Sequence, residues 1–194
     1  MKLRIWVWLG AALLLSYTPL HAWLTARMWS HMLLHIPLLL LCGAGLSAAS
    51  RQRHAPHWAR WNDQGLSGLC ALLVVLSLAM LPRTLDLVLS SPALITSKTA
   101  ALLLAGALWA DSLTRASLPL RLFATGMLLP MMGGLADWMA LQPLRVCRAY
   151  TLQDQLDTAA ALWWACAALG LWWLWLLLAP SRRSSQAQQP GELR

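Results

Sequence analysis

The run Met28-Trp29-Ser30-His31-Met32-Leu33-Leu34-His35-Ile36-Pro37-Leu38-Leu39-Leu40-Leu41-Cys42-Gly43-Ala44-Gly45-Leu46-Ser47-Ala48-Ala49 decides the fold. It carries no Asp, Glu, Lys or Arg and is long enough, at 1.5 Å per residue, to cross a hydrocarbon core about 30 Å thick. In lipid each backbone N–H and C=O needs a partner inside its own segment, which makes the run a helix. A transmembrane barrel strand would alternate in polarity, and Leu38 to Leu41 does not.

The same reading extends outward from this stretch. Apolar spans are predicted at about 5–24, 28–49, 65–81, 99–116, 119–141 and 158–179, which makes residues 1–180 an all-α integral membrane bundle of about six transmembrane helices. Residues 181–194 form a polar tail, expected to be disordered and cytoplasmic. Of the 194 residues, 59% are hydrophobic and only 11% charged, far from the balance of a soluble domain. The start, with Lys2, Arg4, an apolar run and Leu20-His21-Ala22, also has the layout of a cleavable secretory signal, but the apolar run continues past that site through Trp23 and Leu24. Pro130, Gly133 and Gly134 in the fifth span are expected to kink it or to permit close packing.

The net charge of +8 does not indicate nucleic-acid binding, because the basic residues are scattered over short segments between apolar spans. They do orient the chain. With the N-terminus inside, Lys2, Arg4, Arg51, Arg53, Arg60, Arg115, Arg121, Arg182, Arg183 and Arg194 are cytoplasmic, and Arg27, Arg83, Lys98, Arg145 and Arg148 are external. This ten-to-five excess is expected to place both termini in the cytoplasm. Several of the 13 Trp fall near span ends or crowd the sixth span, as expected for lipid contact and packing. No two of Cys42, Cys70, Cys147 and Cys166 form a C-x-x-C pair; three lie in apolar spans as expected buried side chains, and Cys147 lies outside them.

The chemistry-bearing feature is the start of the second span. Met28, His31, Met32 and His35 stand at i, i+3, i+4 and i+7 and share one helix face. Two His at i and i+4 can grip one metal ion, and imidazole with thioether suits copper, above all Cu(I). Met80, Met139, Asp137, His21 and Asp86 are expected toward the same outer face. His54 and His57 lie in a basic cytoplasmic loop and read as solvated. Asp154 and Asp157 precede the sixth span and read as caps at its positive end. Asp111 and Asp137 are isolated, with no assignable reaction. G-x-S-x-G, Walker-type and H-E-x-x-H patterns are absent, so a non-enzymatic role is expected.

His31-Met32-Leu33-Leu34-His35, followed by Ile36-Pro37-Leu38-Leu39, resembles the H-M-x-x-H motif of the CtaG-like cytochrome c oxidase assembly factors, multi-span bacterial membrane proteins. Asp154-Gln155 resembles the D-Q before that family's last spans. The resemblance implies a factor assisting cytochrome c oxidase assembly, with copper bound or delivered at the outer membrane face, His31 and His35 as metal ligands and Asp154 as a weaker functional candidate. Its partners would be the lipid bilayer and respiratory oxidase subunits or another membrane complex. Two alternatives stay open: a haem b-binding electron-transfer protein, in which His31 or His35 faces His21, and a non-catalytic membrane subunit of a respiratory complex.

Overall fold

In the computed structural model residues 2–50, 61–81, 83, 84, 86 and 91–178 are described, and among them every regular element is a helix. His54, His57 and the tail from 181 lie outside the described residues. Four helices are long and apolar enough to cross a bilayer, or five if the bent first pair is one span.

The expected first span is that bent pair. Helices α1 (Lys2–Tyr17) and α2 (Pro19–Thr25) meet at 63°. Pro19 has no N–H and disfavours a helical residue before it, and Thr18 is extended at φ −114°, ψ 175°. Arg27 is also extended, and helix α3 (Met28–Ser50) then runs on as one apolar rod. Helix α4 (Leu66–Met80) begins after Gly65, whose φ of +74° suits a residue without a Cβ. Its 15 residues reach only about 22 Å, which is why the third expected span falls short of a bilayer's thickness.

Helix α5 (Pro92–Arg115) starts well before residue 99. Thr96, Ser97 and Lys98 lower the hydropathy there without breaking the helix, because Thr96 Oγ1 and Ser97 Oγ donate back to the carbonyls of Pro92 (2.9 Å) and Leu94 (3.0 Å). Helices α6 (Leu118–Gly126) and α7 (Leu128–Leu141) make one apolar run interrupted at Met127, just ahead of Pro130. Helix α8 (Leu152–Leu178) also begins before its expected start at 158. The N-cap residue is Thr151, and Asp154 in the first turn completes the cap as expected, whereas Asp157 does not: the Asp154 N–H donates to Thr151 Oγ1 (3.1 Å), and the Thr151 hydroxyl donates to Asp154 Oδ2 (3.0 Å). Asp157 instead accepts from Gln153 Nε2 at 2.9 Å.

The closest helix contact joins α3 and α5. A Cβ built on Gly43 would stand 2.1 Å from the Leu103 carbonyl oxygen, and one on Gly106 would stand 2.1 Å from that of Leu40. Backbone therefore lies on backbone, as small residues allow in membrane helices. Of the kink or close packing expected at Pro130, Gly133 and Gly134, the break falls at Met127, and the glycines do not bring backbones together: the nearest atom to a Cβ on Gly133 is 3.6 Å away, and a Cβ on Gly134 meets nothing within 4 Å. Around the crossing, Leu39, Leu40, Leu72, Leu76, Leu102 and Ala105 form an apolar core. Cys42 joins it, whereas Cys70 is exposed, contrary to expectation. Trp164 and Trp175 of α8 face outward, as lipid-contacting rings would.

Asp111 acquires a structural role. It accepts from Asn62 Nδ2 at 3.0 Å and pairs with Arg115 at 2.9 Å, and the buried Asn62 also takes the Gly68 N–H at 3.1 Å, which fastens the approach to α4 onto α5.

Candidate functional site

The His31–His35 segment of α3 is a π turn, in which the Ile36 N–H donates to the His31 carbonyl, five residues back. Pro37 supplies the reason. It lacks an N–H and its ring crowds the carbonyl of Leu33, so the ladder just ahead of it widens. Such turns recur at functional sites. Met28, His31, Met32 and His35 are all buried, at 1%, 0%, 0% and 2% exposure, so the face predicted from their spacing does point inward.

Around His31 the polar atoms form a directed chain. Tyr150 Oη lies 2.9 Å from the Thr25 carbonyl, which accepts only, so the phenol donates there. The phenol oxygen then accepts from His31 Nδ1–H at 2.9 Å. This network assigns the proton to Nδ1 and leaves Nε2 to accept from Lys98 Nζ at 2.7 Å. Both nitrogens of His31 are thereby engaged.

His35 differs. Its Nε2 lies 3.1 Å from the Leu15 carbonyl and must carry the proton, while its Nδ1 is buried with no hydrogen-bond partner. His21 Nδ1 lies 3.2 Å from the same carbonyl. That oxygen is available because its α-helical partner, four residues on, is Pro19, which has no N–H to give. The three imidazoles form a row, with ring centroids 5.1 Å apart for His21 and His35 and 5.3 Å for His31 and His35.

Tyr150 is set by the segment between α7 and α8. Asp86 accepts from the N–H groups of Arg148 (2.9 Å) and Ala149 (3.1 Å). Buried Gln155 accepts from the Val146 N–H at 2.9 Å through Oε1 and donates to the Met139 carbonyl at 2.8 Å through Nε2. The D-Q pair is thus divided: Asp154 serves the cap of α8, and Gln155 clamps the segment that delivers Tyr150. In the same segment burial pushes the Cys147 thiol up to about 11, with nearby Asp86 adding to the effect, and burial also raises the Tyr150 phenol.

Met28 and Met32 pack with Met139, Cys147 and Tyr150, and Met80 lies against that cluster. The expected sulfur residues therefore do gather. Asp137 is exposed, and Asp86 is spent on backbone N–H groups. Among the described residues no group of three or more His, Cys, Asp and Glu side chains is arranged to hold a metal ion. Of the two predicted imidazole ligands, His31 offers no free lone pair and His35 offers one. His21 and His35 meet edge to face at 5.1 Å, which leaves no room for a porphyrin between their rings.

Neither Lys98 nor Tyr150 is marked by a motif in the sequence. Lys98 falls just outside the predicted 99–116 span, and Tyr150 lies between the fifth and sixth spans. The one available signal was Lys98 inside Thr96-Ser97-Lys98-Thr99, directly before an apolar run. No protein-family model, curated protein or solved structure matches the chain.

Proposed function

We propose that this chain is a multi-pass membrane factor assisting the assembly of a respiratory oxidase, without catalytic activity of its own, and that copper is its cargo. In this reading the six apolar segments lie in a bacterial inner membrane with both termini in the cytoplasm, and the histidine row sits in the outer half. The support is one observation: the two imidazoles of the H-M-x-x-H motif are shut away from lipid side by side, and the buried Nδ1 of His35 has no partner. A buried polar atom left unpaired is costly, and an ion relieves that cost. Copper would be received at His35, with His21 beside it. It would reach His31 only by displacing Lys98 from Nε2. The methionine cluster next to Met28 and Met32 is chemically suited to Cu(I).

The test is copper content per chain in purified protein, together with oxidase activity in cells. Wild type is expected to bind about one equivalent, in line with the single open imidazole nitrogen. The His31→Ala/His35→Ala double variant should lose copper and depress oxidase activity at an unchanged level of this protein. Fully assembled, copper-loaded oxidase in cells carrying only the double variant would refute the proposal.

A further inference from the structure

Between α4 and α5 lies a cavity of about 360 Å³ whose walls include Val75 and Leu102 together with the polar residues Thr84, Ser97 and Lys98. Its volume falls in the range of sites that take a small molecule. Leu78 and Leu94 on its walls are exposed, so the space opens on the flank of the bundle where acyl chains run.

Lys98 is only 8% exposed. Among the described residues no carboxylate lies within ion-pair distance of it, and its hydrogen bond goes to the neutral His31 imidazole. An ammonium has three donors, and a cation buried among apolar helices is expensive without a counter-charge. An apolar cavity with one unopposed cationic group in its wall matches an amphiphile with a single anionic head.

We propose that this cavity binds a single-chain carboxylate amphiphile, such as a long-chain fatty acid. The carboxylate pairs with Lys98 Nζ, Thr84 and Ser97 supply further polar contacts, and the chain runs past Val75 and Leu102 toward the opening. The pairing is charge-assisted and desolvated, so it contributes more than a surface ion pair would.

The probe is cis-parinaric acid, a fluorescent polyene fatty acid, titrated without copper into the full chain in phosphatidylcholine nanodiscs, with empty discs as background. Saturable binding of one molecule per chain is expected. Lys98→Met and the methyl ester of the probe should each weaken binding by roughly 10-fold, and Lys98→Arg should retain it. Ala101→Trp, at an exposed position in the cavity wall, should block binding without disturbing the core; it decides the matter if Lys98→Met does not fold. Binding no greater than in empty discs, equal affinity for the methyl ester, or undiminished binding to Ala101→Trp would overturn the proposal. Because copper takes no part in the assay, these outcomes are independent of the oxidase reading.

Discussion

The two halves of α3 solve opposite problems on one continuous apolar rod. The half after Pro37 presents Gly43 to α5 so closely that backbones touch, and its neighbours are aliphatic. The half before Pro37 buries two imidazoles on a widened turn and surrounds them with a lysine, a tyrosine and an orphan carbonyl. The first half depends on the absence of side chains, and its tolerance is set by space. The second depends on a carbonyl from α1 and side chains from α2, α5 and the segment before α8, and its tolerance is set by hydrogen-bond partners.

Enlarging Gly43 should break this comparison most severely. Gly43→Leu drives a side chain into the Leu103 backbone, which cannot yield as a flexible side chain would; the helix pair must separate, at a cost above the ~1–3 kcal/mol of ordinary overpacking. Loss of the monodisperse peak in detergent size-exclusion chromatography is expected, and an unshifted peak with wild-type thermal stability would show that the crossing is looser than described. In the polar half, Gln155→Leu removes both clamps on the segment carrying Tyr150, for about 1–3 kcal/mol. Its signature should be faster hydrogen exchange at Val146 together with a lower melting temperature.

Tyr150→Phe is milder in shape and sharper in its chemistry. It leaves the Thr25 carbonyl and His31 Nδ1 unpartnered at about 1–3 kcal/mol, while Gly43 packing stays intact. A melting temperature equal to wild type would mean that water replaces the phenol without loss. Thr151→Ala should cost about 1 kcal/mol through the cap of α8, and Thr151→Ser should restore it. The smallest effect is on rate. With its pKa near 11, Cys147 remains a thiol at neutral pH, so its alkylation by iodoacetamide should keep accelerating from pH 8 to beyond pH 10. A plateau below pH 9 would place Cys147 in water.

Hydropathy located the apolar helices but neither their edges nor which of them span: four, or five with the bent first pair as one, are long and apolar enough to cross a bilayer. The polar run before Leu102 hid the first two turns of α5, and Thr151-Leu152-Gln153-Asp154 hid the first turns of α8, because a hydropathy window cannot distinguish a solvated loop from a helix whose polar side chains bond to their own backbone. The bend at Thr18 was written in Pro19, yet the apolar run on both sides of it reads as one span. Of the site, the shared face of Met28, His31, Met32 and His35 was legible from helical spacing, whereas its burial against the other helices was not.

Composition and periodicity by themselves determined that this chain is helical and apolar enough to cross a bilayer, because backbone hydrogen bonding and the price of charge in lipid act on each segment separately. They also placed a pair of histidines on one helix face, which the structure buries. Which residues meet those histidines was decided only by the tertiary structure: Lys98 comes from 67 residues away and Tyr150 from 119. Such contacts arise from the relative placement of helices, where Gly43 and Gly106 allow the approach of α3 to α5 and Gln155 and Asp86 fix the segment bearing Tyr150, and no local pattern encodes that placement.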